Sequence, residues 1–164
     1  MKRVVTFPLA MLMAALVLAL PALGNALTFS FNLVGPQAAS NPSNGETIRV
    51  TGSGSFDAVS QIVVASGSFT IFNGSAAISH GTWKATAFDS FTPFGGPVDG
   101  LQGGTLSIFV TLFPNGESPI TNVPMTVNCL IDAPANFTGS EGVAVGDFTN
   151  ILPVRGHTLF HLNQ

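Results

Sequence analysis

The chain has 164 residues, of which five are Lys or Arg and eight are Asp or Glu, so that charged residues make up only 8%. Typical globular domains are about 25% charged, and a nucleic-acid interface needs several cations on one face, which this sequence does not supply. We therefore expect no nucleic-acid partner. The single cysteine, Cys129, also excludes an intramolecular disulfide.

Residues 1–26 have the pattern of a cleaved export signal. Two positive residues come first, an unbroken apolar run covers residues 9–20, and Gly24-Asn25-Ala26 forms a small-x-small cleavage site. The apolar run is also close to the length of a membrane anchor, but Pro8 and Pro21 bracket it at the length of a signal. We predict cleavage near Ala26 and a secreted, periplasmic or cell-envelope location, with membrane contact only through the signal before cleavage.

Removal of the signal leaves a distinctly acidic mature chain. Lys2 and Arg3 depart with the signal, so Arg49, Lys84 and Arg155 remain against eight carboxylates, a net charge of −5. A lipoprotein anchor would need a cysteine at the cleavage point, and Cys129 lies far downstream. The mature protein is therefore expected to carry no lipid at its N-terminus and no basic face.

The segments after residue 26 are short, rich in β-branched and aromatic residues, and separated by Gly, Pro, Asn and Asp. No segment has a convincing amphipathic helical period. The second and third predicted strands form a long hairpin that turns near residues 59–61, and Asn73-Gly74 marks the turn after it. The pattern predicts eight strands, over 27–34, 46–58, 61–72, 78–90, 104–113, 121–131, 141–149 and 157–162.

Eight antiparallel strands over residues 27–164 predict a single all-β domain. Two architectures are open: a β-sandwich, which the uneven strand lengths favour, and a small closed β-barrel. An outer-membrane barrel is disfavoured because the chain has no Tyr and only one Trp to form interfacial girdles. Within the strands, Gly52 and Gly54 indicate a bend or bulge, and Pro124 indicates an edge strand or a bulge.

Residue types that carry catalysis or bind metals are sparse. The sequence contains none of the common nucleophile, phosphate-binding or metal-binding motifs. His157 and His161 are four residues apart, which on a strand separates them by about 13 Å, too far to share a metal. Trp83 and Lys84 fall on opposite faces of their strand, so we expect Trp83 in the core and Lys84 in solvent. We therefore predict no enzyme, no cofactor and no metal site.

One predicted loop, residues 91–104, has an unusual composition of two prolines, five glycines and four apolar side chains. Loops of this length are uncommon in compact domains and are often functional. The apolar residues either plug one end of the fold or form a ligand or partner surface. The four residues proposed for this surface are Phe91, Phe94, Val98 and Leu101.

These observations favour a non-catalytic β-domain with a structural or interaction role, secreted or associated with the cell envelope. The alternative is a carrier for a small apolar ligand, with a barrel interior lined by residues such as Val63, Phe69, Trp83, Leu106 and Ile108. The carrier requires an enclosed apolar cavity of about 300 Å³ or more. An enzyme would require His80 or His157 within hydrogen-bond reach of a carboxylate in a cleft.

Overall fold

A computed structural model describes residues 27–153 and 156–163, so the predicted signal at residues 1–26 lies outside the described part of the chain. All regular elements in that part are β-strands, and all pairs are antiparallel, which confirms the all-β antiparallel class. The nine strands are β1 Thr28–Ser40, β2 Thr47–Asp57, β3 Ile62–Asn73, β4 Ala76–Val98, β5 Leu101–Pro114, β6 Ile120–Cys129, β7 Gly142–Val145, β8 Asn150–Leu152 and β9 His157–Leu162.

Six of the strands pair in a closed ring. Along the hydrogen-bonded path, β4, β3, β2 and β1 are neighbours in that order, β9 joins β1 to β5, and β5 pairs back with β4. Beyond the two residues that pair with β9, β5 pairs with β6, and β6 pairs with β7. β8 pairs with the end of β1. The pairing forms one nine-stranded sheet and does not divide into two sheets, so the expectation of a sandwich is not confirmed.

Side chains alternate between the two faces of the ring outside the register shifts of its ladders. In β2, Ile48, Val50 and Phe56 are buried at 0–1% exposure, whereas Arg49 and Ser53 between them are exposed. The inward residues of the ring and of β6 and β7 form one hydrophobic core. Cys129 belongs to it, because Val123, Met125, Val127 and Cys129 share the inward face of β6, as their spacing predicts.

The prediction of a loop at residues 91–104 is wrong. Residues up to Val98 continue β4 and residues from Leu101 begin β5, so only Asp99 and Gly100, both at positive φ, make the turn. Two of the five glycines that suggest a loop, Gly103 and Gly104, allow close packing instead. A β-carbon on Gly103 would overlap the Ile131 carbonyl, and one on Gly104 would lie 2.9 Å from the Phe91 ring.

Other boundaries differ from the sequence prediction for local reasons. The predicted strand over 141–149 is divided, because Gly146 at φ +54° turns the chain between β7 and β8. β1 continues to Ser40 past a register shift between Leu33 and Gln37. Leu33 pairs with Gly52, where the sequence predicts a bend or bulge. β6 pairs on both sides, so Pro124 does not mark an edge strand, although the β5–β6 register shifts nearby.

The antiparallel order places four connections at one end of the ring. Because β1, β3, β5 and β7 run in the same direction, the turns at residues 41–46, 74–75, 115–119 and 146–149 all lie at that end. We call it the turn end. The opposite end carries the N-terminal side of β1, the turn at residues 58–61 and the tip of the β4–β5 hairpin. Two depressions on this framework, one at the turn end and one beside Glu141, are the candidates for a functional site.

Candidate functional site

The four residues proposed for a binding loop do not form a common surface. Phe91 is half-buried and Phe94 is buried at 5% exposure, whereas Val98 is 51% exposed at the hairpin tip, opposite Leu101 in the β4–β5 ladder. Phe94 packs on the Phe137 ring at a centroid distance of 4.8 Å. The two phenylalanines therefore pack inward, and Val98 is the only one of the four that is mostly exposed.

Phe91 closes the end of the ring opposite the turn end. Its ring centroid lies 5.0 Å from Phe29, 4.8 Å from Phe56 and 5.4 Å from Phe160. These distances are typical of favourable tilted and edge-to-face aromatic pairs. Apolar side chains thus plug this end, which is one of the two roles that the sequence leaves open.

The interior between the two ends is occupied by side chains. Phe69, Trp83, Leu106 and Ile108, four of the residues named for a carrier cavity, are at most 3% exposed and belong to the same contiguous core. Val63, the fifth, is partly buried against that core. None of these residues lines the depressions described below.

Trp83 shows how tightly the interior is filled. Its indole lies over Gly52 and Gly67, which face each other in the β2–β3 ladder, and its Nε1–H donates a 2.9 Å hydrogen bond to the Thr51 carbonyl. A β-carbon on Gly67 would lie 2.6 Å from Trp83 Nε1 and 2.7 Å from the Gly52 Cα. Trp83 is therefore a core anchor, as predicted, and the exposed Lys84 beside it points the other way.

An apolar depression of about 310 Å³ opens at the turn end. It lies where β3, β5 and β6 meet the turn that follows β7. Ile120 is 50% exposed at its edge, while Leu112 and Val123 are buried in its floor at 7% and 9% exposure. The depression is lined by Ile71, Leu112, Ile120, Asn122, Val123, Pro124, Val145, Gly146, Asp147 and Phe148.

Local backbone irregularities shape this apolar depression. The register of β3 against β4 shifts just after Ile71, and that of β5 against β6 shifts between Val110 and Leu112. Asn122 has φ +56°, and the Gly146 N–H donates to the Pro124 carbonyl at 2.8 Å. Ladder irregularities re-aim side chains, and here they coincide with apolar groups that are only partly covered. The sequence alone gives no signal for this arrangement, because the apolar residues that line the depression lie in several short, separate segments.

A second depression, of about 480 Å³, lies beside Glu141 and is called the Glu141 depression. It is lined by Leu130, Gly139, Ser140, Glu141, Pro153, Gly156 and His157. His157 Nδ1 lies 3.5 Å from Glu141 Oε1, and the two side chains are 75% and 31% exposed. This separation exceeds the 2.6–3.2 Å expected of a catalytic hydrogen bond, so the pair approaches, but does not match, the geometry that the enzyme alternative requires.

No group of three or more His, Cys, Asp or Glu side chains that could hold a metal ion is found among residues 27–153 and 156–163. His157 and His161 both lie on β9, where they pair with Val34 and Ser30 of β1. They do not converge. Over the same residues, no helix is long and apolar enough to cross a membrane.

Two ionisable groups are perturbed by their surroundings. The Ser60 and Val59 N–H groups donate to Asp57 Oδ1 at 3.0 and 2.8 Å, and these bonds hold the pKa of the carboxyl below its ordinary value. Burial raises the pKa of the Cys129 thiol. The first effect stabilises a turn and the second keeps a thiol protonated, so neither indicates a catalytic group.

Comparison of the chain with protein-family models, curated proteins and solved structures finds no match.

Proposed function

We propose that this chain is an exported, non-catalytic interaction domain whose apolar depression receives an apolar side chain of a partner protein. The observation that carries the proposal is the depression itself, where residues such as Ile71, Ile120 and Phe148 leave apolar surface uncovered at one end of an otherwise filled ring. Partner proteins commonly anchor such surfaces by inserting one aromatic or aliphatic side chain into a pocket.

The size and surroundings of the depression support a side chain as the occupant. Its volume of about 310 Å³ is at the lower limit for small-molecule pockets, which range from about 300 to 1,000 Å³. The polar groups at its rim, Asn122 and Asp147, are exposed. Exposed polar groups around an apolar centre are the arrangement found in protein interfaces.

The carrier alternative receives less support. A carrier holds its ligand inside the fold, and the side chains named for such a cavity are packed against one another in the core. An apolar small molecule would therefore have to bind at the turn end, where it would be only partly covered. The low charge of the sequence and the signal pattern of residues 1–26 support export.

A fluorescence titration tests the proposal. The apolar dye 8-anilinonaphthalene-1-sulfonate, added to the purified protein, is expected to bind the depression and to be displaced by a short blocked peptide with a central Phe. The same peptide with Ser in place of Phe should not displace the dye, because it lacks the apolar group.

Matched variants locate the binding. Ile120→Ser removes an apolar group at the edge of the depression, and Ile78→Ser removes an equally exposed one on β4, outside it; their exposures are 50% and 52%. We expect Ile120→Ser to weaken both dye and peptide binding about tenfold, the effect of about 1.4 kcal/mol, and Ile78→Ser to leave them unchanged. Equal effects of the two substitutions, or displacement by both peptides, would contradict the proposal.

A further inference from the structure

Asparagine followed directly by glycine occurs three times in the chain, at residues 44–45, 73–74 and 115–116. The three pairs belong to three different turns, and all of these turns lie at the turn end of the ring. Each asparagine and each glycine is exposed, and the glycines have positive φ angles of +75°, +60° and +82° in chain order. The fold therefore brings every Asn-Gly pair of the sequence to one end of the ring, in contact with solvent.

An Asn-Gly pair can modify itself in water without an enzyme or a cofactor. The glycine nitrogen loses its proton to a base in solution and attacks the asparagine Cγ, so that a new C–N bond forms and the side-chain nitrogen leaves as ammonia. Water then opens the cyclic imide at either of its carbonyls, which gives aspartate or isoaspartate. Glycine favours the reaction because it has no side chain to obstruct ring closure. The reaction requires a glycine N–H that is free to lose its proton and an asparagine that is free to rotate.

Hydrogen bonds restrain the first pair. The Gly45 N–H donates to the Asn41 carbonyl at 2.9 Å, so an acceptor holds the proton that must leave. Asn44 Oδ1 accepts the Glu46 N–H at 3.0 Å, which fixes the orientation of the asparagine side chain. A 2.8 Å bond from the Asn41 N–H to the Glu46 carbonyl closes the whole turn. Both reacting groups of this pair are therefore held in place in the folded protein.

The second pair is restrained through its backbone. Asn73 is the last residue of β3 and pairs with Ala76 across the turn, so its main chain belongs to the β3–β4 ladder. Ring closure must bring the Gly74 nitrogen onto the asparagine Cγ, which requires rotation of the Asn73 backbone. The ladder opposes this rotation.

The third pair is the least restrained. In the described part of the chain, no hydrogen-bond partner is found for the Asn115 side chain or for the Gly116 N–H. The Asn115 N–H donates to the His80 carbonyl at 2.9 Å, which fixes the entry to the turn but neither reacting group. The bond that closes the turn, from the Glu117 N–H to the Pro114 carbonyl, is long at 3.4 Å. A β-carbon at Gly116 would meet nothing within 4 Å, so water reaches the pair freely.

We infer that Asn115 is a site of spontaneous deamidation, which converts it to aspartate or isoaspartate in the folded protein faster than Asn73 or Asn44. The reaction adds a carboxylate to a chain that is already acidic, and the isoaspartyl product lengthens the backbone by one carbon. Both changes fall in the turn that leads from β5 to Ile120, at the edge of the apolar depression. The inference depends on the chemistry of this turn and is independent of the partner proposed for the depression.

Incubation of the purified protein in mildly alkaline buffer, followed by peptide mass spectrometry, tests the site. The change from amide to acid alters the mass of the peptide, and chromatography separates isoaspartate from aspartate. Asn115 should react about tenfold faster than Asn44, because two hydrogen bonds must open before Asn44 can react, and Asn73 should react at an intermediate rate. Reaction of Asn44 or Asn73 as fast as Asn115, or an intact Asn115 after the urea-unfolded chain has reacted, would overturn the inference.

Two controls separate the effect of the fold from that of the sequence. In urea the three pairs should react at similar rates, because the bonds that restrain Asn44 and Asn73 are absent, and a ranking that persists in urea would overturn the inference. Asn115→Gln should remove most of the ammonia that the folded protein releases, since glutamine must close a larger ring. Asn44→Gln is the matched control in another exposed turn and should leave the release nearly unchanged. Equal effects of the two substitutions would contradict the assignment to Asn115.

Discussion

Replacement of Gly67 by Ala is expected to be among the most destabilising single changes in the ring. The added β-carbon would overlap the Thr51 carbonyl and lie 2.6 Å from Trp83 Nε1 and 2.7 Å from the Gly52 Cα. Two of these three neighbours are backbone atoms of β2, so a shift of the indole alone cannot relieve the overlap and β2 and β3 must also separate. Gly67→Ala therefore tests whether β2, β3 and Trp83 are packed as closely as described.

The magnitude follows from two costs. Overpacking a filled core costs about 1–3 kcal/mol, and loss of the Trp83 bond to the Thr51 carbonyl would leave a buried donor unpaired, at about 1–3 kcal/mol. The two costs overlap because the separation of β2 and β3 that relieves the overpacking also displaces the Thr51 carbonyl from the Trp83 Nε1–H. We expect a loss of about 2–4 kcal/mol in the free energy of unfolding, a large part of the 5–15 kcal/mol typical of domains.

Urea unfolding followed by tryptophan fluorescence is the assay, since Trp83 is the only tryptophan and reports its own environment. The matched control is Gly96→Ala, because a β-carbon at Gly96 meets nothing within 4 Å; its free energy of unfolding should stay within about 0.5 kcal/mol of wild type. A Gly67→Ala protein as stable as Gly96→Ala, with an unchanged emission maximum, would refute the reasoning.

Three further predictions concern other parts of the fold. Folding lowers the pKa of Asp57, so the ionised carboxylate stabilises the fold at pH values above the unfolded-state pKa, and this stabilisation is lost as the pH falls through the folded-state pKa. Asp57→Asn should therefore be less stable than wild type at neutral pH, and the difference between their urea midpoints should disappear in acid. Phe91→Ala should lower the free energy of unfolding by about 2–3 kcal/mol through lost aromatic packing, whereas Val98→Ala should change it by less than about 0.5 kcal/mol; equal losses would mean that Phe91 is not part of the plug. Cys129, buried and with a raised pKa, should react with a thiol reagent only as the chain unfolds, and rapid labelling of the folded protein would contradict its position in the core.

Local features of the fold could be predicted from the sequence because they depend on neighbouring residues. The alternation of apolar residues along β2 and β6 is visible in the sequence and matches the inward positions of Phe56 and Cys129, and the Asn73-Gly74 turn is equally clear. The turn near residues 59–61 also follows from local composition. In each case the signal and the structure span only a few residues.

Features that depend on distant contacts could not be predicted. The five glycines of residues 91–104 predict a loop from composition alone, yet Gly103 and Gly104 allow β5 to approach Ile131 and Phe91. The ring closes because β9 joins β1 to β5, a pairing between the two ends of the chain that no local pattern encodes. The candidate sites share this origin, since each gathers residues from three or more separate segments.

The most direct test of the account is a map of amide chemical-shift changes by NMR as the Phe-containing peptide is added to the purified protein. Saturable changes are expected to cluster at Ile71, Leu112, Ile120 and Phe148, and the Ser-containing peptide should give none. Changes centred on interior residues such as Trp83 and Ile108 would contradict it and favour a carrier. An absence of saturable change at the turn end would contradict the proposed binding function.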